Sequence, residues 1–179
     1  LQLTLMTAQL ANGGNKIYPT LVPNNKNLDQ IKREMNANED YDLPTSHPPL
    51  VRNKENVKFV LDAMFKSTNE VYGTSYSSRI EDPKYQFAGK TGTAQVKRIS
   101  KRERELDLEL EQIPYKDRDH ALYVAYGPYV NPRYALSIIV EHGGSGSKAA
   151  APIAKKLFKL IIDRHDLRNK QSNFERITV

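Results

Sequence analysis

The sequence contains no cysteine, which excludes disulfide bonds and thiolate metal sites. This absence is compatible with an exported domain. No apolar run approaches the roughly 20 residues that a membrane-spanning helix requires. No signal peptide is present either. The first residue is Leu1 rather than methionine, and it already lies in a segment with helical spacing of apolar residues. We therefore expect a fragment of a longer chain, with any anchor or export signal upstream.

Apolar residues are scarce, at 39% of the 179 residues, and the mean hydropathy is −0.65. The length is nevertheless enough for one domain with a core. Much of the deficit lies in two polar stretches, 23–50 and 97–120, which we interpret as insertions: the first a long loop, the second a partly helical excursion. The net charge of +6 permits an anionic polymer as partner. Because the charges are spread and mixed in sign, a solvated surface is the favoured interpretation.

Apolar spacing and turn residues predict an α+β fold, an antiparallel sheet flanked by helices. Gly127-Pro128 and Asn131-Pro132 predict a hairpin turn, so the last three strands should form an antiparallel meander. Residues 1–165 would belong to the domain, and 166–179 would be a polar, frayed tail. The predicted helices are 1–12, 53–69 and 149–165, and the predicted strands are 17–22, 86–96, 122–126 and 134–141.

Three further expectations concern the core and the last helix. Ser147 should be the N-cap, with Pro152 in the first turn. The strand segment 138–140 should be buried. The residues expected to face the core are Val57, Val60, Leu61, Met64 and Phe65 in the second helix, and Ile153, Leu157, Leu160 and Ile161 in the last.

The segment 86–96, QFAGKTGTAQV, has a composition that core packing does not require. Side chains alternate along a strand, so Gly89, Thr91, Thr93 and Gln95 should point one way, and Lys90, Gly92 and Ala94 the other. The threonine hydroxyls can donate to a carboxylate, and the ammonium group supplies a counter-charge. This pattern favours a strand that offers its edge to an anionic, peptide-like ligand.

The tripeptide KTG at 90–92 is the third motif of the penicillin-recognising serine enzymes. The longer run GKTGTAQV at 89–96 resembles the class B penicillin-binding proteins. Three flanking blocks resemble the elongation-type subgroup, penicillin-binding protein 2: LQL at 1–3 leading to LANGG at 10–14, YGPY at 126–129, and EHGGSGS at 141–147 followed by AAPIA at 150–154. The resemblance extends from residue 1 to about 165, with gaps at the two insertions. It implies the C-terminal part of a transpeptidase domain.

The resemblance also implies roles for individual residues. The N–H group of Thr93 would face the carbonyl oxygen of the substrate or β-lactam, in an oxyanion hole. The hydroxyls of Thr91 and Thr93 would hold the substrate carboxylate. Lys90 would assist proton movement and charge balance. Gly92 and Gln95 would line the same substrate-binding strand.

Two other matches to family motifs are interpreted as coincidences. The sequence SGSK at 145–148 fits Ser-x-x-Lys, and STN at 67–69 fits Ser-x-Asn. In the family both motifs precede the KTG strand, and the nucleophile lies far upstream. The first match follows KTG in a glycine-rich loop, and the second is expected to cap the end of a helix. The chain would then contain no nucleophile and could not acylate alone.

The four histidines are His47, His120, His142 and His165, and their spacing does not suggest a zinc site. His142 could line the cleft, but a surface position is the favoured interpretation. The tyrosines of the meander are better explained as half-buried strand residues than as a nucleic-acid stacking surface. We therefore expect no metal and no nucleic-acid partner.

The parent protein would resemble a peptidoglycan D,D-transpeptidase that acts through a serine acyl-enzyme. Its implied ligands are D-Ala-D-Ala stem peptides and β-lactams, its partners are membrane proteins of the elongation machinery, and no cofactor is implied. Its implied location is the periplasmic side of the bacterial inner membrane, behind a single N-terminal anchor. Two alternatives remain open, namely a non-catalytic basic binding module and an inactive structural fragment.

Overall fold

A computed structural model describes residues 1–19, 49–98, 106 and 108–177, with the side chains of the last helix described to residue 168. The predicted insertion at 23–50 therefore lies almost entirely outside the described residues. So do residues 20–22 of the predicted strand at 17–22. Its described part, 17–19, has no strand structure, and Asn15 instead forms an isolated bridge with Pro49.

The first two helices follow the predicted pattern closely. Helix α1 spans Gln2–Ala11 and helix α2 spans Lys54–Asn69. The side chain of Asn53 caps α2 by accepting a hydrogen bond from the Glu55 N–H at 2.8 Å, which satisfies one of the donors left open at a helix start. A 3₁₀ turn, Tyr76–Ser78, follows α2.

The described residues contain one three-stranded sheet, formed by β1 (Ala88–Ala94), β2 (His120–Gly127) and β3 (Tyr134–Val140). The order is β1-β2-β3 and both pairings are antiparallel, so the predicted meander is confirmed. The predicted insertion at 97–120 overlaps the sheet, because His120 pairs with Ala94. Its described part contains two 3₁₀ turns, Leu110–Gln112 and Tyr115–Asp117.

Helices cover both faces of the sheet. Helices α1 and α2 pack on one face, around Met64, Ala88 and Tyr126. The last helix, α3 (Ala151–Ile177), packs on the other. There Phe158 stacks on Phe87 with ring centroids 4.9 Å apart, and both side chains are fully buried. The α+β layer arrangement agrees with the prediction.

The buried face of α3 differs from the prediction. Ile153 is 40% exposed and Leu160 is 66% exposed, whereas Leu157 and Ile161 are half-buried. Small side chains were passed over in the prediction because their own apolar area is small. They nevertheless allow the helix to approach the sheet closely, and this close packing is what buries Phe158. The residues that face the core are Ala151, Ala154, Phe158 and Ile162.

Both ends of the last helix also differ from the prediction. A π-helical turn, Gly146–Ala150, precedes α3, so the N-cap is Ser145 rather than Ser147. Pro152 lies in the first α-helical turn, as predicted. The helix continues to Ile177, whereas the sequence predicted that it would end at about residue 165. The polar sequence after residue 165 has no apolar stripe, which is why a frayed tail was predicted there instead of a continued helix.

One strand residue was also assigned to the wrong environment. Ile139 was predicted to be buried, but it is 57% exposed. Side chains on a strand alternate between faces. Ile138 and Val140 therefore pack against the core on the α3 side, while Ile139 lies on the opposite face.

Candidate active site

Strand β1 lies at an edge of the sheet, and its peptide groups alternate between β2 and the other edge. The N–H of Gly89 donates to Thr68 Oγ1 at 3.0 Å, and its carbonyl oxygen lies 3.4 Å from the same hydroxyl. The peptide groups of Gly89 therefore point away from β2. Because this direction repeats every second residue in an antiparallel strand, Thr91 and Thr93 also direct their N–H and C=O groups away from β2. We call this side of β1 the open edge.

The polar side chains of the KTG segment gather near the open edge. Lys90 is exposed, and its Nζ donates to the Thr91 carbonyl at 2.9 Å and to Thr91 Oγ1 at 3.5 Å. Thr91 is half-buried, and its hydroxyl lies 3.3 Å from that of Thr74. Thr93 and Gln95 are exposed, and Gln95 follows the last residue of the strand. The segment thus presents an ammonium group, hydroxyls and backbone donors together.

A glycine pair brings the last helix close to this strand. A Cβ atom on Gly146 would lie 2.8 Å from the carbonyl oxygen of Gly92 and 2.4 Å from that of Leu122. Only glycine permits so close an approach of two backbones. The π-helical turn therefore supports the middle of the KTG segment from the α3 side of the sheet.

On the opposite face, Lys90 borders a cavity of about 340 Å³ between α1 and α2. Phe59, which is 75% exposed, contributes to its wall. Val60 was predicted to face the core, but it is 38% exposed because it borders this cavity instead. The Lys90 side chain thus lies on the face opposite to Tyr123, whose hydroxyl would be 2.4 Å from a Cβ atom on Gly89, as the alternation of the strand predicts. The remaining lining residues are Met6, Thr7, Leu10, Ala63, Met64, Ser67 and Val124.

The end of α2 contacts β1 more extensively than a helix cap would. Asn69 Nδ2 donates to the Phe65 carbonyl at 3.1 Å, which is a capping contact, but it also donates to the Phe87 carbonyl at 2.9 Å. Thr68 bonds Gly89 as described. The STN match at 67–69 therefore tethers α2 to the KTG strand, and its interpretation as a cap alone was incomplete.

Buried hydroxyls near Gly89 were missed in the sequence analysis. Thr68, Ser75 and Tyr123 are fully buried. Burial raises the pKa of Tyr123, against the opposing effect of its hydrogen bonds with Ser75 and Thr68. A Cβ atom on Gly89 would lie 2.4 Å from the Tyr123 hydroxyl. Only Tyr123 carried a sequence signal, since its neighbours Leu122 and Val124 are apolar, whereas Thr68 and Ser75 lie in polar segments. The proximity of the three hydroxyls depends on tertiary structure.

The other motif match, SGSK at 145–148, lies in the π-helical turn. The Ser145 hydroxyl is 2.9 Å from that of Ser147, and the Lys148 side chain is exposed.

His142, expected at the surface, is half-buried. Its backbone N–H donates to His120 Nδ1 at 2.9 Å, and its ring lies 4.8 Å from that of Tyr115.

Comparison with known proteins identifies the family. The family model described as the penicillin binding protein transpeptidase domain matches residues 1–159. The chain belongs to this family. Peptidoglycan D,D-transpeptidase MrdA of Salmonella typhimurium is 36% identical over 104 residues, which are 58% of this chain and 16% of the relative. The MrdA protein of Acinetobacter baumannii is 30% identical over 163 residues, or 86% of this chain and 21% of the relative.

Solved structures of penicillin-binding protein 2 have the same fold. In a Helicobacter pylori complex of penicillin-binding protein 2 with MreC, the TM-score is 0.62 at 28% identity, over 89% of this chain and 24% of that chain. For Pseudomonas aeruginosa penicillin-binding protein 2 in complex with WCK 5153, the TM-score is 0.59 at 31% identity, over 87% of this chain and 28% of that chain. These matches support a transpeptidase of the penicillin-binding protein 2 type. This chain spans 16% to 28% of the length of these four relatives.

The described residues contain neither a candidate membrane span nor a candidate metal site. No described helix is both long and apolar enough to cross a membrane. Among the same residues, no group of three or more histidine, aspartate or glutamate side chains could hold a metal ion.

Proposed function

We propose that this chain forms the KTG side of the active site of a peptidoglycan D,D-transpeptidase. The observation that supports this most directly is the open edge of β1. There the peptide groups of Thr91 and Thr93 point away from β2, and the Lys90 ammonium group lies beside them. An extended peptide can add to such an edge as a further strand. Membership of the transpeptidase family makes a stem peptide ending in D-Ala-D-Ala the natural occupant.

The proposed roles follow from the direction of each group. The Thr93 N–H stabilises the oxyanion that develops on the substrate carbonyl. Preorganised donors of this kind contribute about 2.7–4 kcal/mol to transition-state stabilisation. The hydroxyls of Thr91 and Thr93 bind the terminal carboxylate. Lys90 supplies positive charge and assists proton transfer, while Gly92 and Gln95 line the strand along which the peptide lies.

The nucleophile is proposed to come from residues outside these 179. The serine Oγ attacks the carbonyl carbon between the two D-alanines, an ester bond forms, and the C–N bond breaks as D-Ala leaves with a proton. An amine of a neighbouring stem peptide then attacks the ester, and a peptide bond forms as the serine is released. A β-lactam acylates the same serine through opening of its ring. Within this sequence, Ser145 is the only start of a Ser-x-x-Lys match, and its hydroxyl bonds Ser147.

The cavity beside Lys90 is proposed to receive the nucleophile-bearing part of the protein. A serine that reacts at the open edge must come within hydrogen-bond reach of the groups that activate it. The apolar side chains around Lys90, among them Phe59 and Val60, are exposed in this chain. Burial of such side chains by the rest of the domain would exclude water from the site.

The biological setting is also a proposal. The D,D-transpeptidase relatives and the Helicobacter pylori structure with MreC support action in cell-wall elongation, with membrane proteins of the elongation machinery as partners. The reaction would then take place on the periplasmic side of the bacterial inner membrane, with the protein held by an anchor outside this sequence.

Labelling with a fluorescent penicillin tests the proposal. The full-length protein that carries this sequence should become covalently labelled at one serine outside the 179 residues, and unlabelled penicillin should block the reaction. The isolated 179-residue chain should not be labelled. A full-length protein that remains unlabelled at saturating penicillin would overturn the transpeptidase assignment. Labelling of Ser145 in the isolated chain would overturn the assignment of the nucleophile.

A further inference from the structure

The buried hydroxyls behind Gly89 form a continuous chain of hydrogen bonds. Thr68 Oγ1 lies 2.9 Å from the Tyr123 hydroxyl, which lies 3.1 Å from Ser75 Oγ. Ser75 Oγ donates to the Ser67 carbonyl at 3.0 Å, and the Gly89 N–H donates to Thr68 Oγ1 at 3.0 Å. The chain thus connects the backbone of β1 with the last turn of α2.

Counting donors and acceptors gives this chain one consistent direction. Ser75 uses its only proton on the Ser67 carbonyl, so it must accept from Tyr123. Tyr123 then accepts from Thr68, and Thr68 accepts from the N–H of Gly89. Each hydroxyl in this arrangement donates once and accepts once. Because the three hydroxyl side chains are fully buried, water cannot replace a missing member without opening the core.

The local backbone is arranged around this chain. A Cβ atom on Gly73 would lie 2.4 Å from the Ser67 carbonyl. Glycine therefore lets the polypeptide backbone turn tightly and bring Ser75 back over the end of α2. A Cβ atom on Gly89 would lie 2.4 Å from the Tyr123 hydroxyl. Glycine at 89 therefore leaves the space that this hydroxyl occupies against β1.

We propose that Thr68, Ser75 and Tyr123 are positioning residues that set the location of the KTG strand for acyl transfer. Thr68 bonds Gly89 directly, while Tyr123 bonds Thr68 and Ser75 bonds Tyr123. Gly89 lies two and four residues before the proposed ligand groups of Thr91 and Thr93. The inference rests on the proposed function of that strand. A displacement of the reacting groups by about 1 Å can cost on the order of a hundredfold in rate, so a fixed Gly89 has direct value for catalysis.

The protein offers a matched pair of tyrosine variants that test this role. Tyr123→Phe removes the hydroxyl from the buried chain. Tyr126→Phe removes the hydroxyl of a similarly buried tyrosine on the same strand, where that hydroxyl donates to the Leu61 carbonyl at 3.3 Å in a partly buried contact. Tyr126 contacts the α1 and α2 side of the core instead of Gly89. The two variants thus share their chemistry and differ in their connection to β1.

The experiment measures acylation of the full-length protein by a fluorescent penicillin, separated into the binding constant and the acylation rate, together with the thermal midpoint. Tyr123→Phe should lower the acylation rate by about tenfold or more and change the binding constant little. Tyr126→Phe should lower the thermal midpoint but leave the acylation rate within about twofold of wild type. Hydrogen exchange in segment 88–94 should increase for Tyr123→Phe alone.

A second pair addresses variants that fold poorly. Thr68→Val removes the acceptor of the Gly89 N–H, whereas Thr68→Ser retains a hydroxyl at the same Cβ position. The serine variant should recover most of the acylation rate that the valine variant loses. If Thr68→Val and Tyr123→Phe both acylate at the wild-type rate while losing stability, the hydroxyl chain is purely structural and the inference fails. If the wild-type protein itself does not react, the proposed function fails first.

Discussion

The ammonium group of Lys90 donates a hydrogen bond to the carbonyl of its own neighbour, Thr91, at 2.9 Å. The Lys90 side chain therefore lies along the strand toward Thr91 and the open edge. It is exposed and borders the cavity between α1 and α2. A positive charge held at this point is available both to the open edge and to any group that enters the cavity.

Replacement of Lys90 should impair chemistry far more than folding. Lys90→Met keeps most of the side-chain length but removes the charge, and we expect acylation by penicillin to slow by about a hundredfold or more, the range of a positioned proton-transfer group. Because the side chain is exposed, the thermal midpoint should change little. Lys54→Met, at an exposed position at the start of α2, is the charge-matched control. Equal acylation rates in wild type and Lys90→Met would remove Lys90 from the site.

Thr93→Val should weaken acylation more than it weakens folding. The substitution preserves the shape of the side chain and the backbone N–H, but it removes the hydroxyl proposed to bind the substrate carboxylate. A hydrogen bond to a charged group contributes about 1.5–3 kcal/mol, so the second-order acylation constant should fall by about 10- to 100-fold. Stopped-flow measurements with a penicillin, alongside thermal melting, separate the two effects. An unchanged constant would argue that Thr93 contributes through its backbone alone.

The buried face of α3 can be tested by two substitutions only two residues apart. Phe158 is fully buried against Phe87, whereas Leu160 is 66% exposed. Phe158→Ala should cost about 3–5 kcal/mol of unfolding free energy. Leu160→Ala should change it by less than about 0.5 kcal/mol. Thermal or urea unfolding of the full-length protein measures both. If Leu160→Ala lost more unfolding free energy than Phe158→Ala, α3 would instead pack with the face predicted from its apolar spacing.

A cluster at the surface should make stability depend on pH. The Tyr85 hydroxyl, which donates to Asp163 Oδ1 at 2.5 Å, and then Lys84 hold the pKa of Asp163 below its usual value. A lowered folded-state pKa stabilises the protein above the unfolded-state pKa of about 3.9, and this contribution is lost as the pH falls toward the folded-state value. Asp163→Asn should therefore be less stable than wild type between about pH 5 and 8.

The same comparison provides its own control. The stability difference between wild type and Asp163→Asn should shrink as the pH falls below about 4, because the wild-type carboxyl group then becomes protonated. Glu141→Gln neutralises an exposed carboxylate at the end of β3 and should show no comparable change. Urea midpoints measured across this pH range decide the matter. A difference that does not vary with pH would assign the effect to lost packing instead of the carboxylate charge.

Local sequence was sufficient for α1, α2 and the three strands of the sheet, including the candidate strand, but not for segment 17–19, the π-helical turn or the end of α3. The i, i+3, i+4 spacing predicts α2 within a residue of its observed bounds, and turn residues between alternating strands predict the meander. The KTG segment carries its own alternation, so the division between Lys90 and the threonines follows from the strand period alone. These features depend on backbone geometry and nearest neighbours, and a sequence contains that information directly.

Tertiary structure decided which of these elements touch and through which atoms. Thr68 contacts Gly89 and Tyr123, which lie 21 and 55 residues further along the chain. No local sequence pattern predicts contacts between residues so far apart in the chain. Taken alone, each of these residues is an ordinary helix or strand residue. The orientation of α3 was likewise decided by the close approach that alanines permit, not by its most apolar side chains. The sequence therefore determined the strand that could bind a ligand, while packing determined how rigidly that strand is held.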